Sequence, residues 1–160
     1  MIGIMSDSHD NRAAIQQAVQ FFNNVNCELV IHAGDFVAPF AAGELADLQC
    51  PVKAVFGNCD GEQKGLAEAI QPFGEIKEAP FVFSQEGQTI MITHIHFSVG
   101  KFAASGKYRA IVYGHTHKPE IKKVKDTLLL NPGETGGWLT GKHTVGLLDP
   151  ETWEAKIVTL

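Results

Sequence analysis

Five short polar clusters carry residues able to bind metal ions: Asp7-Ser8-His9, Gly34-Asp35, Gly57-Asn58-Cys59-Asp60, Thr93-His94-Ile95-His96 and Gly114-His115-Thr116-His117. Carboxylate, amide oxygen and imidazole nitrogen form a hard-to-borderline donor set. It suits Mn, Fe, Co, Ni or Zn rather than a soft thiolate metal. On extended backbone the outer residues of Asp-x-His and His-x-His project to one side, so each pair can clasp one or two ions. Asp7, His9, Asp35, Asn58, His94, His115 and His117 are more donors than one ion needs, and about right for two if one carboxylate bridges. Two divalent ions a few ångströms apart are suited to in-line hydrolysis at phosphorus. Taken singly, Asp or Asn after a strand is a helix cap or turn former, and a lone His94 is a hydrogen-bonded strand histidine. The five together, in this order, are hard to obtain by accident.

The elements needed to position these residues are legible around them. Ile2 to Met5, Leu29 to Ile31 and Val52 to Phe56 are short apolar runs that read as buried strands, each ending in one of the clusters. Between them lie an apolar stripe at Ile15, Ala18, Val19 and Phe22, entered through Asp10-Asn11, and a segment from Phe40 to Leu48 that reads as a helix. The order β-α-β-α-β is that of an α/β sheet with crossover helices. Further on, Phe81–Phe83 and Thr89–Thr93 flank Gln85-Glu86-Gly87 as a hairpin, and Ala110 to Tyr113 forms a lone strand. Ile121–Val124 pairs with Thr127–Leu130, and Thr144–Leu148 with Ala155–Val158. This hairpin-rich C-terminal part predicts a second sheet packed on the first. Ligands of open α/β sheets sit outside the carboxyl ends of strands, which is where the clusters fall. A glycine before Asp35, Asn58 and His115 allows a sharp turn close to a ligand.

Composition narrows the classes. At 160 residues, 44% hydrophobic and 19% charged, the chain is ordinary globular protein rather than a disordered tail, and one domain over 1–160 is expected. The 13 basic and 18 acidic residues leave a net −5, which disfavours extended nucleic acid and anionic membrane surfaces. Cys27, Cys50 and Cys59 include no C-x-x-C pair and read as free thiols in a reducing compartment. The N-terminus has no signal-peptide apolar region and no run could span a membrane, so a cytoplasmic location is expected. Whether the chain forms a homo-oligomer is left open.

The ordered set D-x-H, G-D, G-N-x-D, H and G-H-x-H, from Asp7 to His117, resembles the calcineurin-like metallophosphoesterase superfamily. Asn131-Pro132-Gly133 resembles a turn of its small bacterial and archaeal phosphodiesterase branch. The resemblance implies two mixed β-sheets packed as a sandwich between helices, a four-layer α/β/β/α fold. It implies one divalent transition-metal ion on Asp7, His9, Asp35 and His117, and a second on Asp35, Asn58, His94 and His115, with Asp35 bridging. It further implies attack on a small organic phosphodiester by a hydroxide between the metals, with Asn58 also donating to the substrate. Three departures stand out. Cys59 occupies a position where many members have a histidine acid. Ile95 replaces a glycine before His96, leaving His96 as a candidate aid to the leaving group or a supporting residue. Glu134 stands where the branch usually has serine, able to bond a ligand histidine or to repel phosphate. His32 is a candidate support for the metal ligands or a paired core residue, His143 has no assigned function, and Trp138 reads as loop packing or as a contact to substrate or a neighbouring subunit. The competing function is a protein-interaction scaffold on the same fold.

Overall fold

The apolar runs become strands whose polar ends converge on one rim. In the computed structural model, which describes residues 1–160, β1 (Ile2–Met5), β2 (Leu29–His32), β3 (Val52–Val55) and β4 (Gly74–Lys77) lie parallel and side by side. Met5 pairs with His32, and His32 with Ala54, so these strands leave the sheet at one level. Their crossovers are α1 (Arg12–Asn24), α2 (Pro39–Ala42) with the 3₁₀ turn Gly43–Asp47, and α3 (Gln63–Ile70).

Asn11 caps α1, its side-chain oxygen accepting from the Ala14 N–H at 3.2 Å. The expected stripe of Ile15, Ala18, Val19 and Phe22 is buried on the outer face of this sheet. A Cβ at Gly3 of β1 would lie 2.6 Å from the Phe22 ring, so the missing side chain is what seats the phenyl group. Phe22→Ala, by opening a cavity there, is expected to cost about 3–5 kcal/mol in urea unfolding.

The second sheet contains β5 (Phe81–Gln85), β6 (Gln88–Ile92), β7 (Ala110–Val112), β8 (Glu120–Val124) and β9 (Thr127–Asn131), in the order β5-β6-β7-β9-β8. Strands β6, β7 and β9 run parallel, with α4 (Val99–Ala104) between β6 and β7 in the chain. Ile2, Ile4, Leu29, Ile31 and Val55 of the first sheet pack against Phe81, Ile90, Ile92, Val112 and Leu130 of the second. Helix α4 covers the far side through Val99 and Ala103, on Met91, Ile111 and Leu129. The result is the expected four-layer α/β/β/α arrangement of two mixed sheets.

Two expectations need correction. The last hairpin, β10 (Thr144–Leu148) and β11 (Ala155–Thr159), does not belong to the second sheet. It extends the first, with β10 antiparallel to β1 through the pair Ile2 and Leu148. Nothing local in a hairpin dictates which sheet edge it joins; here the edge of β1 was free to be covered. The segment from Phe40 to Leu48 is not one helix but a single α-turn running into the 3₁₀ turn that begins at Gly43, a weak helix former. That turn tucks Leu45 into the core. No helix is long and apolar enough to cross a membrane.

Candidate metal centre

The loops after β1, β2, β3, β6 and β7 meet at the rim between the two sheets. Asp7 and Asp35 are buried there, though carboxylates are seldom buried without a partner. Three tight groups of donor atoms form, each within 4.8 Å: Asp7 with His9 and His117, Asp7 with Asp35 and His94, and Asp35 with His9 and Cys59. Asp35 is central, with Oδ2 3.5 Å from His9 Nε2 and 3.3 Å from His94 Nε2. Its Oδ1 accepts the Cys59 backbone N–H at 2.8 Å. His117 Nε2 lies 3.4 Å from Asp7 Oδ1.

The Asn58 amide oxygen stands 2.9 Å from His94 Nε2, which brings it to the same corner. His115 is held differently. Its backbone N–H donates to both Asp7 oxygens, at 3.2 and 3.1 Å, and its ring meets His94 edge-on at 5.2 Å. Its imidazole nitrogens lie outside the three tight groups.

Two of the imidazoles have their tautomer fixed from behind. His94 Nδ1 is 2.8 Å from the Ala33 carbonyl, which can only accept, so Nδ1 carries the proton and Nε2 turns toward Asp35 and Asn58. His117 Nδ1 is 2.9 Å from Glu134 Oε2 and likewise donates, leaving Nε2 to face Asp7. Hydrogen bonding of the remote nitrogen is how metal-binding histidines are oriented. His9 Nε2, beside both carboxylates, is buried with no hydrogen-bond partner. Lone pairs converging from imidazole, amide and carboxylate, together with an orphaned buried nitrogen, fit a cation of the first transition series.

The electrostatics agree. Burial pushes the Asp7 carboxyl above its ordinary range, the mark of a buried anion short of positive charge. Burial acts the same way on Asp35, but the adjacent His94 ring and the bond from the Cys59 N–H outweigh it and hold its carboxyl well below the usual range. For His94, burial opposes a charge, yet the Asp35 carboxylate prevails and raises its pKa. Burial and the neighbouring Asp35 push the exposed Cys59 thiol up to about 11, so it stays protonated at neutral pH.

The ligand loops bend through unusual backbone. Asp7, His9, Asp35, His115 and His117 all have positive φ, between 41° and 69°. Non-glycine residues seldom enter this region, and each departure costs about 1 kcal/mol or more. Two buried carboxylates hold the loops in place. Asp60 accepts backbone N–H groups from Asp35 at 3.0 Å, Val37 at 2.7 Å and Gly57 at 2.7 Å, tying the β2 loop to the β3 loop. At Gly57 the loops approach so closely that any Cβ would overlap the Asp35 carboxylate. Glu134 accepts from the Leu139 and Thr140 N–H groups as well as from His117. Although burial opposes it, these bonds hold the Glu134 carboxyl down at about 2.

Sequence reasoning passed over Asp60 as a clasp; its only signal was an acidic residue three positions after Gly57. Glu134 bonds His117, one of the expected metal ligands. His32 is buried against Phe36, its Nδ1 accepting from the Gly34 N–H at 3.1 Å, so that Nε2 donates to Ser8 Oγ at 3.0 Å. It thereby ties the β2 loop to the β1 loop. His96 stacks on His115 at 5.6 Å with its Nδ1 buried and unbonded. The loop around Trp138 is latched to the Asp7–Asn11 segment. The Trp138 indole N–H donates to the His9 carbonyl at 2.9 Å, Asn11 Nδ2 to Gly136 O at 2.8 Å, and Gly136 N to Asp7 O at 3.1 Å. His143 donates from Nδ1 to the Thr135 carbonyl at 3.0 Å, away from the donor cluster.

Comparison with known proteins accords with this geometry. Residues 1–152 match the calcineurin-like phosphoesterase superfamily domain. The chain is 42% identical over 163 residues to Phosphodiesterase MJ0936 of Methanocaldococcus jannaschii, covering 99% of this chain and 98% of that protein. It is 32% identical over 168 residues to a probable metallophosphoesterase of Methanothermobacter thermautotrophicus, covering 99% and 91%. A solved structure described as a novel archaeal phosphodiesterase superposes with a TM-score of 0.93 at 40% identity, covering 99% of each chain.

Proposed function

Since the chain belongs to the calcineurin-like phosphoesterase superfamily and is a phosphoric ester hydrolase, we propose that it is a two-metal phosphodiesterase acting on small organic phosphodiesters. In this reading residues 1–160 act as one domain. Asp7, His9, Asp35 and His117 hold one divalent ion; Asp35, Asn58, His94 and His115 hold the other. When bound, such ions neutralise the phosphoryl oxygens and make a nearby water acidic enough to supply the nucleophile at neutral pH. Mn, Fe, Co, Ni and Zn all suit the donor set.

The observation that carries the reading is the orphaned His9 Nε2 beside two buried carboxylates, flanked by His94 and His117 with their remote nitrogens already hydrogen-bonded. The chain's own residues do the rest. Asp35 belongs to two of the three donor groups and presents a carboxylate that remains ionised. Asn58 turns its oxygen to His94, and its Nδ2 lies 3.3 Å from Cys59 Sγ. That amide is positioned to donate to a phosphoryl oxygen. His96 is the candidate donor to the leaving alcohol. Its Nδ1 is buried without a hydrogen-bond partner, which leaves Nε2 as the nitrogen free to meet a substrate. Cys59, protonated at neutral pH, contributes only a weak S–H donor.

Hydrolysis of bis(p-nitrophenyl) phosphate tests this. Activity is expected with Mn²⁺, to vanish on chelation, to return when the metal is restored, and to exceed that on p-nitrophenyl phosphate. Full loading with two ions but no turnover on any diester would instead favour a scaffold on this fold.

A further inference from the structure

A phosphodiester brings two alcohol arms to the metal centre, and the rim beside His115 is shaped for one of them. Moving outward from His115, the His96 ring stacks on it at 5.6 Å and an interplanar angle of 25°. Phe97 packs on His96 at 4.3 Å and meets His115 edge-on at 6.5 Å. Phe97 is 81% exposed although it is a large apolar side chain that could have been turned inward. A cavity of about 430 Å³ opens on this side, lined by His96, Val99, Tyr113, Thr116, Lys118 and Glu120. That volume lies within the range of small-molecule sites. Its apolar lining comes from Val99 and the Tyr113 ring, whose hydroxyl is satisfied by Glu120. Lys118 lines the same space and forms no ion pair, so it can meet an acceptor on an incoming group.

From these features we infer that the exposed ring of Phe97, packed beside His96 and His115, is a stacking platform for a flat aromatic alcohol arm, such as an aryl or nucleobase-bearing group, whose hydrogen-bond acceptors can reach the neighbouring cavity that His96 lines. The inference rests on the phosphodiesterase reading above. The phosphorus lies over Asp35, and the arm passes His115 to lie along the exposed ring of Phe97. Offset stacking on Phe97 favours an aromatic arm over a methyl group by up to about tenfold. Phe97 touches neither phosphate nor metal, and a p-nitrophenolate leaving group needs no proton from the His96 ring that Phe97 packs on, so with such esters its removal acts on binding of the arm and not on the chemistry.

Competitive inhibition of bis(p-nitrophenyl) phosphate hydrolysis provides the test, with the monomethyl esters of phenylphosphonate and methylphosphonate as paired probes. In the unaltered, Mn²⁺-loaded protein the phenyl compound is expected to bind about tenfold more tightly. Phe97→Ala should bring the two inhibition constants together, whereas Phe97→Trp should keep them apart. Neither variant should alter kcat on methyl p-nitrophenyl phosphate. Thymidine 5′-methylphosphonate in place of the phenyl compound separates the sources: tighter binding than phenyl identifies a nucleoside arm, equal or weaker binding a simple aryl arm. If the phenyl-to-methyl ratio is the same in the unaltered protein and in Phe97→Ala, the subsite is refuted and Phe97 becomes a side chain for protein contact. Absence of turnover on every diester, despite full metal loading, would overturn the phosphodiesterase reading and this one with it.

Discussion

Asp35→Asn will lower kcat/KM for bis(p-nitrophenyl) phosphate by at least about 10³-fold, a loss of roughly 4 kcal/mol of transition-state stabilisation. Asp35 is the only carboxylate that faces His9, His94 and Cys59 together. Losing its charge therefore weakens both proposed ligand sets at once, where loss of any single histidine weakens one. Asparagine is the informative replacement because Asp35 sits at φ 61°, a conformation asparagine tolerates and alanine does not. The amide also keeps an oxygen for the Cys59 N–H. The variant should consequently fold, with a far-UV spectrum matching that of the unaltered protein, and bind fewer than two Mn²⁺ per chain by metal analysis. A folded Asp35→Asn protein retaining two ions and more than about a tenth of the activity would refute the bridging role.

Glu134 gives the second large effect, at a residue that touches no ion. Glu134→Ala removes the acceptor for His117 Nδ1 and for the Leu139 and Thr140 N–H groups. His117 is then free to rotate or change tautomer, and affinity for the ion on Asp7, His9 and His117 should fall about 10- to 100-fold, that on the other group little. Calorimetric titration with Mn²⁺ should resolve one weakened and one preserved site. In metal-free protein, nitrogen chemical shifts of the His117 ring should report a proton fixed on Nδ1 in the unaltered chain and exchanging in the variant. Glu134→Gln provides the control: it keeps one oxygen for His117 but presents an NH₂ to backbone donors, so an intermediate loss is expected. Because its carboxyl is held down at about 2, Glu134 itself does not titrate near neutral pH. A pH dependence of activity there must come from other groups.

The contrast between Asp35 and Glu134 shows what was legible in the chain. The residues brought to the rim all lie immediately after apolar runs, so strand periodicity and residue type located them together. What holds them is written elsewhere. Glu134 reaches His117 only because β9 ends beside β7, and Asp60 reaches the Asp35 and Val37 amides only because β3 lies beside β2. Such partners are set by sheet order, which a local pattern does not encode. The missed elements were weak for ordinary reasons. Helix α3 buries only Leu66 and Ile70 and contains Gly65, β4 has Ile76 as its one large apolar residue, and α4 spans just six residues. The last hairpin reads as a hairpin at the level of sequence, but its pairing with β1 joins residues at opposite ends of the chain.

That pairing bears on how the protein is made. Strand β1 is made before the strands that flank it, and because it lies between β2 and β10 its second edge stays open until Thr144–Leu148 has been synthesised. The segment holding Asp7 and His9 waits likewise, for Gly136 and Trp138. Contacts this distant in sequence close late in folding. During synthesis the donors of the β1 and β2 loops exist before the clasps that shape them, and a metal captured then meets a flexible peptide that selects by affinity alone. Only when the C-terminal hairpin has docked can geometry discriminate between one divalent ion and another.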